Sequence, residues 1–286
     1  MDLLEFAITA SEALMIDYNM LTSIKKVTKN NGTERIGLEY LSDNDRIHPV
    51  LYMETYYDEF LKTGDMNTEI MYECLKIHSG ESQQFTIDDF SDWEYVKDRI
   101  IFRLINRERN KEFLESHPHV EFGKEFAVIF AYVFDDLGAS VTVTDALADT
   151  WNKDADELFA AASENTPRIF QSELIDMDKM LSIMLDNREE FPNPIPMYVL
   201  SNRQRLHGAS TILYFDFSSV FDTESQLYLI PSSVHEWIVI PNAGGDPNTI
   251  CDMIKEVNRT VVAPEEVLSD NLYIYNFETC SIEIVK

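Results

Sequence analysis

Apolar residues recur at helical spacing near the start of the chain. Leu3, Leu4, Ala7, Ala10, Leu14 and Leu21 would line one face of a helix over residues 2–22. Segments 24–28 and 35–41 instead alternate, and Lys29-Asn30-Asn31-Gly32 stands between them. Asn and Gly tolerate the positive φ of a tight turn, so a β-hairpin is predicted here. Short helices are expected over 50–62 and 66–78, separated by Gly64. Residues 96–106 fit both periods: β-branched content favours a strand, while the spacing allows a helix. Residues 126–134 form the longest apolar run and predict an antiparallel pair with 140–144, turning at Asp135-Asp136-Leu137-Gly138. Helices are expected over 145–151, 154–165 and 176–187, with Asp154 and Asp176 placed to accept the free amide hydrogens of the first turns.

Residues 191–196 hold three prolines and read as a rigid connector. A short strand follows over 197–200, then an undecided stretch over 207–221 and strands over 227–231 and 236–241. Gly244-Gly245 precede a helix over 246–258, and residues 272–275 and 281–285 close the chain as a hairpin. Strands and helices come in groups with no sustained βαβ alternation. The expected fold is therefore α+β: mostly antiparallel sheets with helices packed on one side, and room for two subdomains. Residues 1–190 and 197–286 would be N-terminal and C-terminal α+β regions joined by the 191–196 connector, or parts of one continuous domain.

Charge changes the picture most. The chain has 286 residues, 51 acids against 23 lysines and arginines, and a formal charge of −28. Such a surface argues against direct nucleic-acid binding and against an anionic membrane, both of which need basic groups. Cys74, Cys251 and Cys280 are odd in number and far apart, which argues against a disulfide framework or a CxxC metal site. Acids interrupt the N-terminal segment, so no signal peptide is expected. No apolar run approaches the ~20 residues of a membrane helix. A soluble cytoplasmic protein is expected.

Four segments carry candidate chemistry. Residues 97–111 hold six of the basic residues, and Arg99, Arg103 and Arg107 are spaced by four, which puts them on one face of a helix or a strand. Guanidinium groups suit phosphate and carboxylate ligands. The plainer account pairs them with the acidic stretch 54–98, where twelve acids face three bases. Around 231–237, Ser232, Ser233, His235 and Glu236 supply a nucleophile, a base and an acid, beside Trp237 as a further ligand-binding candidate. Neighbours in sequence rarely form a triad, no GxSxG elbow is present, and a polar strand end accounts for these residues equally. His117-Pro118-His119 could contribute to a metal site if further ligands arrived from elsewhere; otherwise it is an ordinary loop. The Gly244-Gly245 turn lacks a P-loop Lys and is explained by an Asp246 N-cap with Pro247 at the first helical position. Nothing implies a cofactor.

Several segments together resemble a bacterial family. They are residues 97–106 (KDRIIFRLIN), 164–168 (ENTPR), 197–202 (MYVLSN), 229–236 (LIPSSVHE) and 262–270 (VAPEEVLSD). The family is the domain of unknown function numbered 5688, found mostly in Firmicutes. The resemblance covers nearly the whole chain and implies a bacterial intracellular protein, with no activity or catalytic residue to carry over.

The first functional expectation is a non-catalytic binding or interaction protein, whose partner is another protein, one with a basic surface. One alternative is a hydrolase using Ser232 or Ser233 with His235. Another is an acidic nucleic-acid mimic that occupies a basic partner; segment 135–190 holds fourteen acids against four bases.

Overall fold

A computed structural model describes residues 1–41, 50–81, 90–134, 140–184, 196–242 and 246–285. The chain divides into two compact units, Met1–Asp92 and Trp93–Lys286. The expected connector lies outside the described residues over 191–195. The strands on either side of it, Ser172–Asp176 and Tyr198–Asn202, pair with each other inside the second unit.

In the first unit, helix α1 (Leu3–Tyr18) starts with a capping box: Asp2 and Glu5 each accept the other's backbone N–H. Strands β1 (Thr22–Thr28), β2 (Glu34–Tyr40) and β3 (Val50–Tyr52) form an antiparallel meander. The predicted hairpin turn is present, with Asn31 and Gly32 both at positive φ. Residues 50–52, expected at the start of a helix, pair instead with β2 as a strand. Helices α2 (Met53–Thr63) and α3 (Thr68–Glu81) follow, with left-handed Gly64 ending α2. Phe6, Ala10, Leu14, Leu38, Met53, Met71 and Leu75 form the core. Glu39 is buried opposite Ser23 and is neutralised by Lys25 at 2.6 Å.

The second unit contains two antiparallel sheets. Strands β4 (Ile100–Asn106), β5 (His119–Phe122), β6 (Phe126–Val133) and β7 (Ser140–Thr142) form one, with β6 pairing all three others. The ambiguous segment 96–106 is therefore mainly strand. The apolar run is the central strand because both of its faces are covered, and a doubly buried strand loses its polar alternation. Helices α4 (Asp145–Trp151) and α5 (Ala155–Ile169) follow, the latter capped by Asp154 as expected. Next come β8 (Ser172–Asp176) and α6 (Met177–Met184), where the Asp176 carboxylate accepts the first-turn amides of Asp178 and Lys179. After β9 (Tyr198–Asn202), the undecided stretch forms short 3-10 turns. Strands β10 (Leu227–Ser233) and β11 (Glu236–Pro241), helix α7 (Pro247–Thr260), and strands β12 (Tyr273–Asn276) and β13 (Ser281–Ile284) complete the unit. The second sheet has the order β13-β12-β10-β11-β9-β8.

The fold is α+β with antiparallel sheets, and side chains close its joints. On β4, the carbonyl of Ile100 accepts from Asn165 Nδ2 at 3.0 Å, and the N–H of Phe102 donates to Thr166 Oγ1 at 3.1 Å. Helix α5 thus satisfies the strand edge that β6 leaves open, which removes a site for unwanted strand pairing. No helix among the described residues is long and apolar enough to cross a membrane.

Gly208 sits where two strands and a turn converge. A Cβ there would meet Ser201 Oγ and the His235 carbonyl well inside van der Waals contact, and would stand 2.9 Å from Asn202 N. Two of these obstacles are backbone atoms and cannot rotate away. Gly208→Ala is expected to destabilise the chain by about 1–3 kcal/mol through overpacking. A urea-denaturation midpoint unchanged from wild type would contradict this.

Candidate functional site

The β10–β11 hairpin carries the Ser/His/Glu candidates. Its register shifts between Pro231 and Ser233, so Val234 and His235 form the turn. Several of its polar groups hold that turn. Ser233 Oγ accepts the His235 N–H at 3.0 Å, and Ser201 Oγ donates to the His235 carbonyl at 2.7 Å. The N–H of His207 donates to His235 Nδ1 at 3.0 Å. A neutral imidazole has one lone-pair nitrogen, and here Nδ1 is that nitrogen. The proton then sits on Nε2, which faces Glu266 Oε1 at 3.6 Å. No lone pair remains for a serine proton. Ser232 Oγ donates to Glu236 Oε1 at 3.3 Å, and Arg205 lies between Glu236 and Glu173. Trp237, expected on a binding surface, is fully buried. Its Nε1–H donates to the Ala209 carbonyl at 2.7 Å, and its ring packs edge-on against Phe126 and Tyr273.

The arginine row divides. Arg99 lies on a 3-10 turn before β4 and has interactions of its own. Arg107, just past the strand, pairs with Glu121 at 2.6 Å and donates to the Lys124 carbonyl. Its acid partner therefore comes from β5 and not from 54–98. Arg103 sits mid-strand opposite Ile129, which is itself opposite His119, so these three share one face of the sheet. Arg103 Nη2 donates to Ser140 Oγ, while its Nε is buried without a hydrogen-bond partner. The residue keeps some accessible surface, but its head group lies deep, and burial pushes the guanidinium down to about 10. No carboxylate among the described residues pairs with it.

The two histidines are held by carbonyls. His117 stacks on Phe113, and its Nδ1 lies 2.7 Å from the Phe113 carbonyl; His119 Nδ1 lies 2.9 Å from the His117 carbonyl. Among the described residues, no group of three or more His, Cys, Asp or Glu converges as a metal site.

A different carboxylate organises the unit. Glu125 lies in the β5–β6 turn. Its Oε2 accepts from Ser269 Oγ at 3.0 Å, Asn271 Nδ2 at 2.8 Å and the Tyr273 hydroxyl; Oε1 accepts from Asn106 Nδ2 at 3.0 Å. Beside it, a cleft of about 700 Å³ opens between Gly123–Lys124 and β13, with Phe126 and Tyr273 in its lining. Arg99, Arg103, His235 and Trp237 do not line it. Nothing in the pattern singles out Glu125, because its donors lie 19 to 148 positions away along the chain.

The geometry defines an α+β chain of two compact units whose most conspicuous Ser/His/Glu cluster is built as a turn lock. The chain belongs to the Family of unknown function (DUF5688), whose model matches residues 6–276. No curated protein and no solved structure matches it.

Burial, and then the adjacent Glu125 carboxylate, push the Tyr273 phenol well above its ordinary range; burial does the same for Tyr214. Unfolded tyrosines ionise near pH 10, while these two keep their protons in the fold. Above about pH 10 the unfolded state therefore binds fewer protons, and stability falls as pH rises, by about 1.4 kcal/mol per pH unit for each such group. In urea denaturation at stepped alkaline pH, Tyr273→Phe is expected to make that fall shallower. An unchanged slope would show that Tyr273 does not contribute to it.

Proposed function

We propose that this chain is a non-catalytic binding protein of the cytoplasm, and that its partner is another protein presenting a basic face. The bonding of His235 carries the first part. The nucleophile, base and acid set at 232–236 is spent on holding a hairpin turn, with the imidazole lone pair already occupied by a backbone N–H. The three cysteines are free thiols, in keeping with a reducing compartment. The charge of −28 supports a basic partner, whose approach such a surface steers at long range.

The purified chain is expected to show no turnover of p-nitrophenyl acetate, p-nitrophenyl phosphate or a casein peptide mixture. Hydrolysis that disappears in Ser233→Ala would overturn the non-catalytic reading. Partner binding, followed by native pull-down at increasing ionic strength, is expected to weaken steeply as salt screens the surface. Retention indifferent to salt would count against a basic partner.

A further inference from the structure

We infer that the cleft beside β13 takes an extended segment of a partner protein, which adds to the second sheet as a further antiparallel strand with a basic residue opposite Glu283. This inference rests on the binding reading above and gives it a site and a mode of recognition. It stands on which residues line the cleft. Four consecutive residues, Ser281–Ile284, form one wall, with Gly123 and Lys124 among the residues that complete a volume of about 700 Å³. Successive strand residues point to opposite faces of a sheet, so a cleft over one face would touch alternate residues only. A cleft lined by all four runs along the edge of the strand. β13 ends the second sheet, and among the described residues β12 is its one strand neighbour.

The register shows which backbone groups face the cleft. The Val285 N–H donates to the Leu272 carbonyl at 2.9 Å, so these two residues form a hydrogen-bonded pair. Antiparallel pairs alternate between bonded and non-bonded. Glu283 and Ser281 therefore turn their N–H and C=O groups to Ile274 and Asn276 of β12, while Ile282 and Ile284 turn theirs outward to the cleft. Among the described residues, no backbone bond outside the ladder reaches Ile282 or Ile284. Donors and acceptors repeating every second residue are matched by another extended backbone, which is how peptides add to sheet edges.

Side-chain chemistry selects the segment. Ile282 and Ile284 stand opposite Tyr275 and Tyr273 and share their face of the sheet. The β5–β6 turn lies on that face, since a Cβ on Gly123 would stand 3.9 Å from Ile282 Cγ1. Glu283 points to the other face and is exposed. Directly opposed residues of an antiparallel pair share a face, so the fitting segment is apolar opposite Ile282 and Ile284 and cationic opposite Glu283. A second copy of the chain fits poorly. Centred on the middle of β13, self-pairing would set Glu283 against Glu283 in a non-bonded pair, where side chains come closest and like charges repel. Each copy would also bring a charge of −28. The carboxylate thus counts against self-association and favours a cationic strand.

The test adds the peptide acetyl-TIKVT-amide to the full chain and follows binding by fluorescence anisotropy and amide hydrogen exchange. Without peptide, the Ile282 and Ile284 amides are expected to exchange faster than those of Glu283 and Val285, which donate to β12. With peptide, the Ile282 and Ile284 amides should slow at least about fivefold. Methylating the amide nitrogens of the peptide's isoleucine and valine, which would donate to β13, should abolish binding; methylating its lysine nitrogen should not. Glu283→Lys changes an exposed side chain and leaves the ladder intact. It should weaken binding of this peptide about fivefold and shift the preference to acetyl-TIEVT-amide. The inference is overturned if the peptide does not bind, or if the isoleucine- and valine-methylated form binds as well as the unmodified one. It is also overturned if Glu283→Lys leaves the preference unchanged, or if the Ile282 and Ile284 amides are already as protected as that of Glu283. Sedimentation as a dimer with those two amides protected would make a second copy the occupant and overturn it equally. Failure here with salt-sensitive partner retention intact removes this site alone, whereas loss of that retention removes the reading on which it rests.

Discussion

The Glu125 carboxylate is the constraint on which the second unit depends. It accepts four hydrogen bonds and has no cation among its hydrogen-bond partners. Hydrogen bonds to a charged acceptor contribute more than neutral ones, about 1.5–3 kcal/mol each, and leaving such an acceptor unmet is expensive. The four donors come from β4, β12 and the segment between α7 and β12, so satisfying one side chain fixes three parts of the chain. Asn106 extends the joint: it also donates to the Leu268 carbonyl and accepts the Arg109 N–H. Asn258 on α7 then holds Ser269 and Asp270. With the sheets held at this corner, Phe126, Trp237 and Tyr273 meet as a three-ring contact between them.

The segments that carry the family resemblance are joints of the same kind. Residues 97–106 meet 164–168 where Asn165 and Thr166 close the edge of β4. Residues 197–202 meet 229–236 through the Ser201–His235 bond, next to the β9–β11 pairing that begins at Trp237. Residues 262–270 close on both, through the Glu266 carbonyl that receives the Val234 N–H and the Leu268 carbonyl that receives Asn106. Their polar residues read as chemistry in one dimension because chemistry and turn-locking use the same groups. Side-chain hydroxyls, amides and imidazoles are what satisfy buried backbone where no ladder partner exists.

Arg103 stands apart from that pattern. Arg205 also leaves a buried guanidinium nitrogen without a hydrogen bond, but it has Glu173 and Glu236 within 3.8 Å. The neighbours of Arg103, Arg107 and Arg109, are indistinguishable from it in composition, yet both reach carboxylates at the sheet margin. Position on the strand makes the difference: the margin has acids and water, whereas the middle of the face has isoleucine and alanine.

The local periods and caps were legible from the residues themselves. The first helix, the Asn-Gly hairpin, the antiparallel pair around 126–142 and the Asp154 and Asp246 caps all rest on neighbours within a few positions, where propensity and pattern act directly. The strands at 50–52, 119–122 and 172–176 were not legible, because each is short and stands as a strand only by pairing with a partner. The arginine spacing suggested one shared face, but only Arg103 lies on the strand, with Arg99 on the turn before it and Arg107 just past its end, and the spacing could not say which of them would find an acid. Composition and periodicity determined the acidic α+β character. Which polar groups would be consumed in holding the fold, and which cation would be left in an apolar setting, was decided only when distant segments came together, since desolvation depends on three-dimensional surroundings and not on order along the chain.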